Sequence, residues 1–158
     1  MLKMFDIMSN VPYIPSMSSE EKRTWIMGVV TVVAYAAYVA IVLGRADGMP
    51  LPEVPYVATL LRTVLGAIVA TIVLNIAVAI AEPKGAATTD QRDRQIYRFG
   101  EYVGQVFVVI GAVMALALAM AELAHFWIAN LLYLSLVLSA ALGSLTKIVA
   151  YRRGFHPW

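Results

Sequence analysis

The chain has 158 residues, of which 61% are hydrophobic and only 14% charged, with a net charge of +2. A soluble globule is roughly half apolar and a quarter charged, so the excess apolar surface here needs lipid rather than water. The chain has no cysteine, which excludes disulfides, thiolate catalysis and iron–sulfur ligation by its own residues.

Residues 1–23 read as a cytoplasmic N-terminal segment. Asp6, Asn10, Pro12 and Pro15 interrupt any continuous apolar core, so this is not a secretory signal. Met17-Ser18-Ser19-Glu20-Glu21-Lys22 would make a natural start, and residues 1–16 look like an added leader whose Tyr13 and Ile14 could dock on the helices. Residues 24–158 read as one transmembrane domain.

Its four apolar runs lie at about 25–43, 57–81, 102–121 and 126–149. Each approaches the roughly 20 residues needed to cross about 30 Å of hydrocarbon. Backbone polar groups in lipid must be satisfied within the segment, so the runs are helices. The expected fold is an all-α polytopic membrane protein of two antiparallel hairpins. Between the first two spans, Gly48, Pro50, Pro52 and Pro55 break helix and predict an extended loop. Pro83 and Gly85 stop the second span. Asp90 can N-cap the third helix, with Asp93 in its first turn, which predicts a cytoplasmic helical extension over 90–101. Arg94 with Asp90, and Arg98 with Glu101, are spaced as ion pairs on that extension. Only Glu122 to His125 separates the third and fourth spans, so these form a tight hairpin.

Orientation follows from the basic residues. With the N-terminus inside, Lys3, Lys22, Arg23, Lys84, Arg92, Arg94, Arg98, Lys147, Arg152 and Arg153 are cytoplasmic, and only Arg45 and Arg62 are outside. The expectation is a bacterial inner-membrane protein with both termini cytoplasmic. Positive-inside anchoring accounts for every basic cluster, so nucleic acid is not an expected partner. Asp90, Arg92, Asp93, Arg94, Arg98, Arg152 and Arg153 form a mixed-sign cytoplasmic cluster suited to headgroups or to another protein's cytoplasmic face.

Lipid gives no hydrophobic drive for helix association, so small residues mark packing seams. Gly100 and Gly104, then Gly111, Ala115 and Ala119 at four-residue spacing, mark the seam of the third span, Ser135, Ser139 and Gly143 one face of the fourth, and Gly66 and Ala70 belong to the second. With the hairpin turn near Ala124, Glu101 and Lys147 lie equally far from it, which predicts an ion pair near the cytoplasmic interface.

Reactive constellations are scarce. Glu122 and His125 form a Glu-x-x-His unit without the second copy that a di-metal bundle requires. The other histidine, His156, falls on the opposite side. A polar hairpin cap at the outer face, with Glu122 near Arg62 or His125, is expected. Asn75 is the strongly polar side chain inside a span, and a bond to a neighbouring helix is its expected role. No acidic residue sits mid-membrane, as a proton-coupled exporter would need. No catalytic, metal or cofactor site is expected.

Asp90-Gln91-Arg92-Asp93-Arg94 before a Gly-rich third span, His125-Phe126-Trp127-Ile128-Ala129-Asn130 opening the fourth, and Tyr151-Arg152-Arg153-Gly154-Phe155 at its end resemble a family of small uncharacterised bacterial four-helix integral membrane proteins with a cytoplasmic Asp-x-Arg-Asp motif. The likeness covers the C-terminal half; the first two spans match in pattern. Gln91 replaces the usual glutamate of the motif. The resemblance implies the fold and brings no activity with it. The expected function is a non-enzymatic accessory or scaffold protein, either a subunit of a larger membrane complex such as a respiratory one or a homo-oligomer. The alternative is a small transporter, channel or membrane sensor.

Overall fold

Helices α1 (Ser19–Ala46), α2 (Val57–Ala81), α3 (Gln91–Met120) and α4 (His125–Arg153) carry the chain. They are seen in a computed structural model that describes residues 19–81 and 91–153. Each is long and apolar enough to cross a membrane. The chain is an all-α polytopic membrane protein. The helices have 25 to 30 residues, which is about 38 to 45 Å at 1.5 Å per residue. That exceeds the hydrocarbon thickness, and in α1, α3 and α4 helix continues past the apolar run. α1 begins at Ser19, ahead of its apolar run at Trp25, and α3 is helical from Gln91, ahead of Tyr102.

The helices form an open row rather than a closed bundle. α4 packs along both α3 and α1; α1 also packs along α2; no extended interface joins α2 to α3 or α4. The row therefore reads α2–α1–α4–α3. Side-chain size explains the order. The α3–α4 contact is close because its facing residues are small. A methyl group added at Gly104 would lie 2.8 Å from the Ser139 carbonyl oxygen, one at Gly143 would lie 3.0 Å from the Gly100 carbonyl oxygen, and one at Gly111 would overlap the Ser135 hydroxyl. As the α3 number rises its α4 partner's falls, so the two are antiparallel. Gly111 and Ala115 are buried, and Ser135 and Gly143 with them.

α2 has no comparable seam. Thr59 is its one buried residue among those described. The sequence places Gly66 in a packing face, but a methyl there would meet nothing within 4 Å. Ala67 and Ala70, with Thr63, instead line the shallow groove facing Ala34 and Ala37 of α1, and Gly66 stands at that groove's exposed edge. Helical phase is the reason: Thr63, Ala67 and Ala70 share the face turned to α1, and Gly66 is rotated away from it.

An apolar core lies at the loop end of the row. Tyr38, Val42, Val54 and Phe126 are buried there, with Tyr35, Leu51, Tyr56 and Tyr133 packed around them. The connection predicted as an extended loop supplies part of this core. Asp47 and Gly48 take positive φ (34° and 84°) to turn the chain after α1. A single 3-10 turn, Leu51–Glu53, then brings Val54 down against Phe126. Prolines at 50, 52 and 55 exclude α-helix, while Leu51, Val54 and Tyr56 supply the apolar surface that folds the segment inward. Edge-to-face contacts tie Tyr35 and Tyr38 to Tyr133, and Tyr56 to Phe126.

The α3–α4 turn closes by a Schellman motif. The Leu123 amide donates to the Leu118 carbonyl at 3.1 Å and the Glu122 amide to that of Ala119 at 3.1 Å. Glu122 holds the left-handed position, φ 54°, where glycine is usual.

Candidate functional site at the basic end

The row has one strongly basic end. Lys22, Arg23, Arg92, Arg94, Arg98, Lys147, Arg152 and Arg153 lie there, while Arg45 and Arg62 lie at the loop end. Its centre is Lys147. The Lys147 ammonium donates to Glu101 Oε1 at 2.7 Å and lies 4.0 Å from the centroid of the Tyr97 ring. The two ends of the pair differ in environment: the Lys147 side chain is 6% exposed and that of Glu101 53%. Gly100 and Gly143 allow this. The Lys147 stem runs through the space a side chain at residue 100 would occupy, so the lysine threads the α3–α4 seam to reach its carboxylate. Buried methylenes, a π face and one ion-pair partner surround the ammonium.

Around this pair the helix ends are tied by polar contacts. Arg152 Nε donates to Glu21 at 3.5 Å, and its guanidinium lies 5.6 Å from the Trp25 ring centroid, joining α4 to α1. Asp93 and Tyr151 are hydrogen bonded, joining α3 to α4. Tyr151 lies past the apolar run of α4, and burial, reinforced by the Asp93 carboxylate, pushes its phenol pKa up. Asp93 and Arg152 of the sequence-derived cluster are thus engaged within the chain. Arg92, Arg94, Arg98 and Arg153 are exposed. Arg98 makes no ion pair with Glu101; the carboxylate turns to Lys147 instead. Asp90 lies outside the described residues, as do Lys3, Lys84 and His156.

A cavity of about 230 Å³ opens beside the pair between α1, α3 and α4. Met27, Gly104, Leu136 and Ala140 form its apolar wall; Ser139, Ser144, Glu101 and Lys147 supply its polar edge. Among the described residues no group of three or more histidine, aspartate or glutamate side chains converges to hold a metal.

The loop end is arranged differently from the polar cap expected there. Arg62, Glu122 and His125 are all exposed, and no hydrogen bond or ion pair joins them. Arg62 belongs to α2, which has no extended interface with α3 or α4. Arg45 makes the cross-helix bond instead, donating to the Thr59 hydroxyl at 2.8 Å. Asn75 does not bridge helices either. Its amide donates to the Thr71 carbonyl one turn back, at 2.8 Å, and its carbonyl oxygen is buried without a partner. The intramembrane bridge is made by Asn130, whose carbonyl oxygen accepts from the Tyr38 hydroxyl at 2.7 Å. Its amide donates to the Phe126 carbonyl at 2.8 Å, which fixes which way the group points. The signal for this bridge was present as a tyrosine and an asparagine inside apolar runs, but only the α1–α4 contact pairs them.

No family model matches the chain, and neither the curated proteins nor the solved structures include a match to it.

Proposed function

We propose that the chain is a non-enzymatic accessory or scaffold protein of the bacterial inner membrane, with both termini cytoplasmic. It would serve as a subunit of a larger membrane assembly, such as a respiratory complex, or of a homo-oligomer. The observation that carries this reading is the open row: α2 is held along one neighbour only, and α3 presents its whole outward face. A chain that worked alone around an internal path would be expected to close its helices about it. The ionisable groups at the basic end support the same reading, since Lys147, Glu101, Arg152, Asp93 and Tyr151 serve to join helices. The skew of eight basic residues to two favours a cytoplasmic basic end. The test is extraction from native membranes into lipid nanodiscs, followed by size and composition analysis. Recovery in a defined assembly supports the reading; a strictly monomeric, partner-free chain defeats it.

The cavity against Glu101 and Lys147 favours a second reading, a small transporter, channel or sensor. Ion flux in proteoliposomes that is lost in Glu101→Leu would support it over the first.

A further inference from the structure

We propose that a second copy of this chain docks on the flank of α3 that carries Arg98, Glu101 and Gln105, giving a parallel two-fold dimer. The inference rests on the scaffold reading above and names the surface and the partner. Helical spacing places Arg98, Glu101, Gln105, Ala112, Leu116 and Ala119 on one stripe of α3, and all six are exposed. The stripe flanks the buried seam with α4: Glu101, Gln105, Ala112 and Leu116 each follow a buried seam residue by one position, about 100° round the helix.

Its composition separates it from the surfaces that suit lipid. α2 shows lipid Leu65, Ile68, Ile72 and Ile76, which are bulky and wholly apolar. On α3, Gln105 is exposed about 6 Å deeper than Glu101 along the helix at 1.5 Å per residue. Facing hydrocarbon, that amide would be held away from water. Ala112 and Ala119 are small and stand on either side of the exposed Leu116 over two further turns.

Charge selects the occupant. Copies inserted by the same route share one orientation, so a two-fold axis between them lies along the membrane normal and sets the α3 helices parallel. Such an axis brings each stripe against itself. Arg98 of one copy then stands about one turn from Glu101 of the other, and the reciprocal pair forms on the opposite side of the axis. Glu101 can serve both contacts: Oε1 accepts from Lys147, and the side chain remains half exposed on the stripe side. Gln105 meets its own counterpart, and an amide can donate and accept at once. The stripe is therefore self-complementary in charge and in hydrogen bonding.

The chain has no cysteine, so single cysteines report proximity without background. Full-length protein in lipid nanodiscs or bilayers should form disulfide dimers at Ala112→Cys and Ala119→Cys. It should not do so at Ile110→Cys on another face of α3 or at Ile72→Cys on α2. Förster transfer between labelled copies gives the affinity independently. Gln105→Leu should raise the dimer Kd about 3- to 10-fold, the range expected for interhelical hydrogen bonds in membranes. Arg98→Glu should weaken the dimer as well. Uniform cross-linking at all four cysteines, or an affinity unmoved by both Gln105→Leu and Arg98→Glu, overturns the proposal. A chain that stays monomeric yet is recovered in a defined complex with other membrane proteins also overturns it, while leaving the scaffold reading standing. A chain recovered alone and monomeric defeats both.

Discussion

The Glu101–Lys147 pair is lopsided, and its two halves should respond very differently to removal. Glu101→Leu takes the sole carboxylate from an ammonium whose side chain is 6% exposed. Breaking a fully buried pair in this way costs about 3–5 kcal/mol. Two features lower that here. The Glu101 position is half exposed, so water can approach, and the Tyr97 ring remains 4.0 Å from the ammonium. The expected loss is about 1.5–3 kcal/mol. Lys147→Met removes the buried charge itself. Methionine keeps most of the stem that lies over Gly100, and the orphaned carboxylate can hydrate. That variant should stay within about 1 kcal/mol of the parent. The double variant should then match Lys147→Met rather than the sum of the two. Reversible unfolding by dodecyl sulfate in mixed micelles, followed by circular dichroism, gives the three values. A Lys147→Met loss larger than that of Glu101→Leu would refute the assignment of the lysine as the trapped partner.

Three further outcomes follow from the backbone geometry and the helix ends. Gly104→Ala should destabilise by about 1–3 kcal/mol, because the added methyl meets the Ser139 backbone oxygen, whereas Gly66→Ala, in open space, should gain up to about 1 kcal/mol of helix propensity; equal effects in the same unfolding assay would contradict the packing described. Glu122→Gly should stabilise the α3–α4 turn by about 1 kcal/mol by removing the left-handed strain at φ 54°, read as a higher unfolding midpoint. Tyr151 has a folded-state pKa above the ordinary 10.0, so the native state holds its proton more tightly than the unfolded one. Its stabilising contribution is complete below pH 10 and is lost as pH rises through the folded value. Tyr151→Phe should flatten that alkaline decline in a stability-versus-pH series.

Much of the architecture was legible because lipid imposes simple rules. Apolar runs of span length must be helices, and the short Glu122–His125 link must fold the last two back on one another. The same regularity brings Glu101 to Lys147: in an antiparallel pair, equal distance from the turn means equal depth. The glycine and serine seam was readable for a related reason, since only small residues let two backbones approach in lipid. Phase errors arose where the sequence offers no partner to fix rotation. Gly66 looked like a packing residue but stands at the open edge of a groove. Arg62 and Glu122 share an end of the molecule without sharing a neighbour.

The sequence by itself determined the number of helices, the α3–α4 register and the concentration of positive charge at one end. These depend on hydrophobic length, turn position and side-chain volume, which are local quantities. Tertiary structure alone decided that the row is open and ordered α2–α1–α4–α3. It alone decided that Asn130 rather than Asn75 bridges helices, and that the proline-rich loop folds inward onto Phe126. Each of those depends on which helix stands beside which. In a membrane the apolar pattern carries little of that information, because lipid satisfies an exposed leucine as well as a neighbouring helix does.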